Sequence, residues 1–230
     1  MPGLRTGTGV PGVPVWNLTY SSPVPVHLVD HPIAQDALVS LRDRTTRSSQ
    51  FRRLAHRLSL VLVAEATREL ATTAVRVETP LEPADGQALR ADVVVVPVLR
   101  AGLGMVEAAL ELLPHARVGH IGLQRDEQTA VASQYYQKLP RDLSQSTALI
   151  VDPMLATGGS AVAAITMLQR AGARDIRLIC MVAAPEGIAA VEAAHPGVHV
   201  YTPAIDRSLD ANKFVLPGLG DFGDRLYGTV

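Results

Sequence analysis

Only one cysteine, Cys180, occurs in the chain, which excludes a disulfide framework. It lies in the apolar run from 176 to 184, where a thiol serves as a small core residue rather than a nucleophile. No apolar run approaches a membrane span. Runs such as Val93 to Leu99 and Leu60 to Ala64 fall well short of the roughly 20 residues a bilayer demands. An excess of one charge is missing too: 21 basic residues face 22 acidic ones, too even a balance to hold a polyanion by counterion release. Nucleic acid is therefore not an expected partner. The first residues carry neither the basic start nor the apolar core of a secretion signal. The expectation is a cytoplasmic chain in a reducing compartment, with no membrane partner. Internal repeats, heptads and blocks of like charge are also absent.

What is present reads as one α/β domain. Residues 1–26 hold five prolines and four glycines in a non-periodic stretch, which predicts an extended N-terminal extension, with Trp16 and Tyr20 able to pin it. Residues 27–230 form the expected domain. Pro32 at a first turn predicts a helix that ends before Thr45. Phe51, Leu54, Ala55, Leu58, Val61, Leu62 and Ala66 recur at steps of three and four, which predicts a long helix capped by Ser48 or Ser49. Val75 to Thr79 alternates like a half-exposed strand, and Ala84-Asp85-Gly86-Gln87 reads as a turn, together a hairpin arm. Apolar strands then follow at Val93 to Val98, Arg117 to Leu123, Thr147 to Val151, Ile176 to Ala183 and Val198 to Tyr201. They alternate with helical stretches such as Ser160 to Ala171. Strands apolar on both faces imply a parallel sheet flanked by helices, with ligands bound beyond the strands' carboxyl ends.

Three strand ends carry chemistry. Val151-Asp152-Pro153-Met154-Leu155-Ala156-Thr157-Gly158-Gly159-Ser160-Ala161 brings amides and hydroxyls to a helix N-terminus, an anion site. It lacks the Gly-Lys-Ser of a P-loop, and no G-x-G-x-x-G follows a strand. Asp152 repels a phosphate and so should face hydroxyls or a metal. Taken alone, Thr-Gly-Gly-Ser is also what an ordinary βα turn looks like. Leu99-Arg100-Ala101-Gly102-Leu103-Gly104-Met105 adds an arginine fork suited to phosphate. Gln124-Arg125-Asp126-Glu127 adds another, so two arginines and a phosphate nest meet on one sheet edge. The seven histidines take no catalytic role in this reading.

At these loops the sequence resembles the uracil phosphoribosyltransferases from about residue 27 onward. Asp152 to Ser160 and Leu99 to Met105 match family motifs, as do Val182-Ala183-Ala184-Pro185-Glu186-Gly187-Ile188 and Pro217-Gly218-Leu219-Gly220-Asp221 with Gly223-Asp224. The resemblance implies a type I phosphoribosyltransferase-like fold with a hairpin arm and a C-terminal base-binding hood. It implies transfer of phosphoribosyl from phosphoribosyl pyrophosphate to uracil, giving UMP and pyrophosphate. Matched by position, the donor would be held by Arg100, Arg125, Asp152, Pro153, Met154, Leu155, Ala156, Thr157, Gly158, Gly159, Ser160 and Asp221. Uracil would meet Val215, Gly220, Asp221 and Phe222, largely through backbone groups, and the catalytic roles fall to Asp221, Arg125 and Asp152. Magnesium is the implied cofactor, held mainly by pyrophosphate and water with no direct protein cage.

The same resemblance implies a homodimer through the arm or a higher homo-oligomer, and a GTP effector, although no motif identifies a GTP pocket. It makes 124–140 a mobile loop over the site, with Tyr135, Tyr136 and Lys138 near its end, and makes Glu65 a structural acid. Thr129 to Ser133 and Phe222 depart from the usual family residues. Pro153 after Asp152 favours the uracil branch over purine or orotate enzymes, which usually show two acids in a row. The rival reading is a nucleotide-sensing regulator with the same fold and little catalysis.

Overall fold

The computed structural model describes residues 25–125 and 132–229. In chain order it contains β1 (Val26–Leu28), α1 (Pro32–Arg42), α2 (Ser48–Ala66), β2 (Thr72–Glu78), β3 (Pro83–Leu89), β4 (Asp92–Leu99) and α3 (Leu103–Leu112). Then come β5 (Arg117–Val118), β6 (His120–Arg125), β7 (Ala132–Lys138), β8 (Ser146–Val151), β9 (Met154–Leu155), α4 (Gly159–Arg170) and β10 (Asp175–Ile179). The rest is β11 (Val182–Ala183), α5 (Pro185–Ala194), β12 (His199–Thr202), β13 (Ser208–Leu209), β14 (Val215–Leu216) and α6 (Phe222–Tyr227).

The central eight-stranded sheet runs β1-β12-β10-β8-β4-β6-β7, with β5 beside β4. All its pairs are parallel except β6 with β7. Its middle strands are buried on both faces. Along β4, Val93 and Val95 join the core under α1, α2, α3 and α6, while Val94, Val96 and Val98 join the one under α4 and α5. Strand order climbs one way from β8 through β10 to β12 and the other way from β4 to β6. The switch point therefore lies between β4 and β8, where a parallel sheet opens a crevice at its carboxyl edge.

The α2 stripe holds as predicted, with Phe51, Ala55, Leu58, Leu62 and Ala66 buried. Its cap does not. The helix begins one residue earlier, so Ser48 lies inside the first turn and Arg47, whose side chain makes no capping bond, takes the N-cap position. The arm is a hairpin, but 84–87 lies inside β3, where Gly86 pairs with Val75. The chain reverses at Thr79 instead, whose hydroxyl accepts the amides of Leu81 and Glu82 at 3.2 and 3.1 Å. That is a local turn of the kind that short polar side chains supply.

Two expected strands are split. Residues 117–123 break at Gly119, whose amide bonds Val95 O at 2.9 Å and joins β5 to β6. Residues 176–183 break after Ile179, because the chain leaves the main sheet to pair β11 with β9. The start of the 124–140 segment and its end form a β6–β7 hairpin with a register shift at Gly122/Leu123. The sequence predicts no strand at Val26–Leu28, an edge strand registered on Val200 to Thr202. Trp16, Tyr20 and Thr129 to Val131 lie outside the described residues.

Candidate active site

The anion loop is built by the β8–α4 connection. Its first part is knitted to the chain after β10: Asp152 N–H bonds Ile179 O at 3.1 Å, and Pro153 O accepts Met181 N–H at 2.9 Å. Leu155 O accepts Ala184 N–H at 2.8 Å. Gly158 then reverses the chain at φ 82° and starts α4. A left-handed turn suits glycine. The fit is also tight, since a Cβ there would stand 2.7 Å from Ala190 Cβ and 2.8 Å from Gly187 O. The first turn of α4 thus brings its amides and its positive dipole end to the crevice, with the Gly159 amide also 3.5 Å from Thr157 Oγ1.

Arg100 follows β4 across the switch point, after a cis Leu99–Arg100 peptide. It forms no ion pair among the described residues, which leaves its fork for an anion. Arg100, Asp152, Met154, Leu155, Ala156, Gly158 and Ser160 wall a cleft of about 170 Å³. Pro153 is buried behind that wall, and Thr157 and Gly159 belong to the loop but not to the wall. Arg125 ends β6, two strands from β8 in the same sheet; its side chain lies outside the described residues.

A second cleft of about 190 Å³ adjoins the first and shares Ala101, Met154 and Ala156 with it. Val215, Gly220, Asp221 and Phe222 line it, as do Lys213, Phe214 and Gly223. Phe222 turns its ring into the core, edge-on to Phe51 at 5.2 Å. Its side chain is committed to packing, which leaves the main chain to face a ligand. Asp221 caps α6 by accepting Asp224 N–H at 2.8 Å. The four residues singled out for the base and most of those for the donor thus meet in two connected clefts. Ala101, Leu123, Lys213 and Phe214 also line them. Ala101, Leu123 and Phe214 carry no chemical signature that a sequence reading could have used, and the Lys213 ammonium has no motif around it that ties it to the strand-end loops.

Cys180 stands apart, fully buried. Desolvation pushes its thiol up to about 12, so it is a core residue and not a nucleophile. Among the described residues no cluster of three His, Cys, Asp or Glu is placed to hold a metal. No helix among them is long and apolar enough to cross a membrane.

The profile of the family "Uracil phosphoribosyltransferase" matches residues 28–229. The chain belongs to the uracil phosphoribosyltransferase family. A protein of that name from Dictyoglomus turgidum is 50% identical over 205 residues, covering 89% of this chain and 99% of the relative. Another from Geobacillus kaustophilus is 48% identical over 205 residues, covering 89% and 98%. A solved protein from Aquifex aeolicus superposes with a TM-score of 0.84 at 32% identity, covering 88% of this chain and 97% of its own. The mostly parallel sheet flanked by helices is the type I phosphoribosyltransferase architecture that the resemblance implied.

Proposed function

We propose that this chain is a pyrimidine-salvage enzyme that joins uracil to the phosphoribosyl group of phosphoribosyl pyrophosphate, and that residues 27–230 form its catalytic domain. The observation that carries this reading is the pair of adjoining clefts at the switch point, one walled by anion-binding groups and the other by a glycine-rich loop. In the reaction the anomeric carbon–oxygen bond to pyrophosphate breaks, the uracil ring nitrogen forms a bond to that carbon, and its proton passes to the departing pyrophosphate or to water. Charge develops on the sugar carbon and the leaving group, so positioning and electrostatics suffice without a nucleophile from the protein.

In this scheme the amides of 156–160 and the Ser160 hydroxyl bind the 5′-phosphate, and Asp152 binds the ribose hydroxyls. Arg100 and Arg125 bind pyrophosphate. Asp221 stands between base and leaving group, and the main chain at 215–222 reads uracil. The fixed donors around the cleft are carboxylate and hydroxyl oxygens, a set that fits magnesium. Magnesium would be held mainly by pyrophosphate and water, with Asp152 and Asp221 as the carboxylates lining the clefts. When bound it supplies charge neutralisation of the departing pyrophosphate. A β6–β7 hairpin beside the donor cleft suits the task of keeping water from a reactive sugar cation.

Dimerisation through the arm is supported by its exposed apolar residues Val77, Leu81 and Leu89. The GTP effector and the cytoplasmic location rest on the resemblance and on composition. Incubating the protein with uracil, donor and magnesium, and resolving UMP by chromatography, tests the reading. Folded protein that forms no UMP overturns it. Competition by cytosine, hypoxanthine and orotate tests the base, and UMP-dependent RNA binding without turnover would favour the regulator instead.

A further inference from the structure

The loop that would read the base anchors Leu219 in the core, but its glycines leave the main chain around that anchor in need of support. Gly218 sits at φ 60° and Gly220 at φ 78°, so much of the segment from 217 to 221 is conformationally permissive. Its main chain is gripped from behind by charged side chains that line neither cleft. The carboxylate of Asp206, 6% exposed, accepts Gly218 N–H at 2.8 Å. Arg42, at the end of α1, donates to Gly218 O at 2.8 Å. The two side chains are locked together by a bidentate fork of 2.7 Å bonds. Both polar groups flanking Gly218 thus end on one charge pair. Arg225 continues the grip. It donates to Leu219 O at 2.7 Å, to Asp43 O at 2.6 Å and to Leu41 O, and stacks over Phe51 at 4.5 Å.

With Asp206 buried and Arg42 partly so, such a pair is a poor source of net stability, since the cost of desolvation offsets much of the attraction. It is a good source of fixed geometry, because each bond it makes is strong and directional. We propose that the Arg42–Asp206 pair is a positioning device that holds the Gly218 peptide, and with it the backbone of 220–222, in the arrangement that recognises the base. This rests on the reading of the second cleft as the uracil site. The pair touches no substrate. It acts through the loop.

The test compares the full chain with Asp206→Ala and Asp206→Asn. Losing a buried charge-assisted bond in Asp206→Ala should raise the uracil KM about tenfold or more, with the donor KM held within about twofold. Discrimination of uracil against cytosine should fall with it. Asp206→Asn keeps an acceptor for Gly218 N–H and should recover part of the loss. A merely structural role would not split the two KM values. Asp175→Asn is the control, because it breaks another bidentate pair, with Arg177, away from both clefts; it should leave both KM values unchanged.

Amide exchange across 217–222 is read in parallel, without need of turnover. It should quicken about tenfold in Asp206→Ala and not in Asp175→Asn. Parallel rises in both KM values, an unchanged uracil KM, or unaltered exchange in 217–222 each overturns the proposal. If the unaltered chain turns over no uracil, the reaction reading fails on its own, and exchange still decides the positioning claim.

Discussion

Replacing Gly158 by alanine tests the anion loop at its tightest point. The residue is at φ 82°, a conformation that costs a residue with a Cβ about 1–2 kcal/mol. The added carbon would also stand 2.7 Å from Ala190 Cβ and 2.8 Å from Gly187 O, both fixed on the first turns of α5. Overpacking of that kind costs about 1–3 kcal/mol, so the two terms sum to about 2–5 kcal/mol. For a domain of this size the melting temperature should fall by roughly 4–20 °C. Relief requires the loop to move away from α5, which displaces the amides at the start of α4. Losing one charge-assisted bond to phosphate then raises the donor KM about 10- to 100-fold. Melting curves and steady-state kinetics with each substrate varied in turn measure both effects. Gly197→Ala is the control, since a Cβ there meets nothing within 4 Å. A Gly158→Ala protein that melts like the parent and keeps its donor KM would refute the loop's role.

Arg100→Ala should raise the donor KM strongly with little change in uracil KM, whereas Asp221→Asn should mainly lower kcat. Asparagine caps helices as well as aspartate, so Asp221→Asn should keep the parent melting temperature, and calorimetry separates lost chemistry from lost fold. Burial pushes the Asp175 carboxyl up, but hydrogen bonds from Arg177 and Thr147 outweigh it and leave the group below its ordinary 3.8. The stabilisation from this depressed group is present above that ordinary value and is lost as pH falls through the lower folded one. Thermal melts from neutral pH down to about pH 3 should show a shallower acid slope for Asp175→Asn than for the parent; equal slopes would exclude the effect. Cys180, with its thiol pushed up to about 12, should resist a maleimide in the native state and react fully in denaturant, as intact mass reports.

The sheet is legible in the sequence where burial is two-sided. Val93 to Val98 and Thr147 to Val151 are nearly continuous apolar runs because helices cover both faces, the pattern that a doubly covered parallel sheet selects. The misplaced pieces are those whose state is decided elsewhere. Nothing between 176 and 183 signals that the chain leaves one sheet after Ile179 to pair two residues with β9. The strand Val26–Leu28 exists because β12 offers an open edge, and three residues carry no period of their own. Asp85-Gly86 reads as a turn from composition, yet the reversal belongs to a hydroxyl several residues earlier, at Thr79.

The two clefts differ in the same way. Amides at a helix start, an acid at a strand end and an arginine after another strand are local chemistry, so the anion cleft declares itself in two short segments. The base cleft gathers Lys213, Phe214 and Asp221 with small and apolar residues from separate segments, and no local motif unites them, so only resemblance points to it. What fixes that backbone is more distant still: Arg42 and Asp206 stand 164 residues apart, one ending a helix and the other in a loop after β12. Neither position has a pattern around it that predicts the other. Leu219 anchors this loop from within, and Arg42, Asp206 and Arg225 hold its main chain from outside. The residues that set its geometry are therefore sought behind the cleft as well as along the loop.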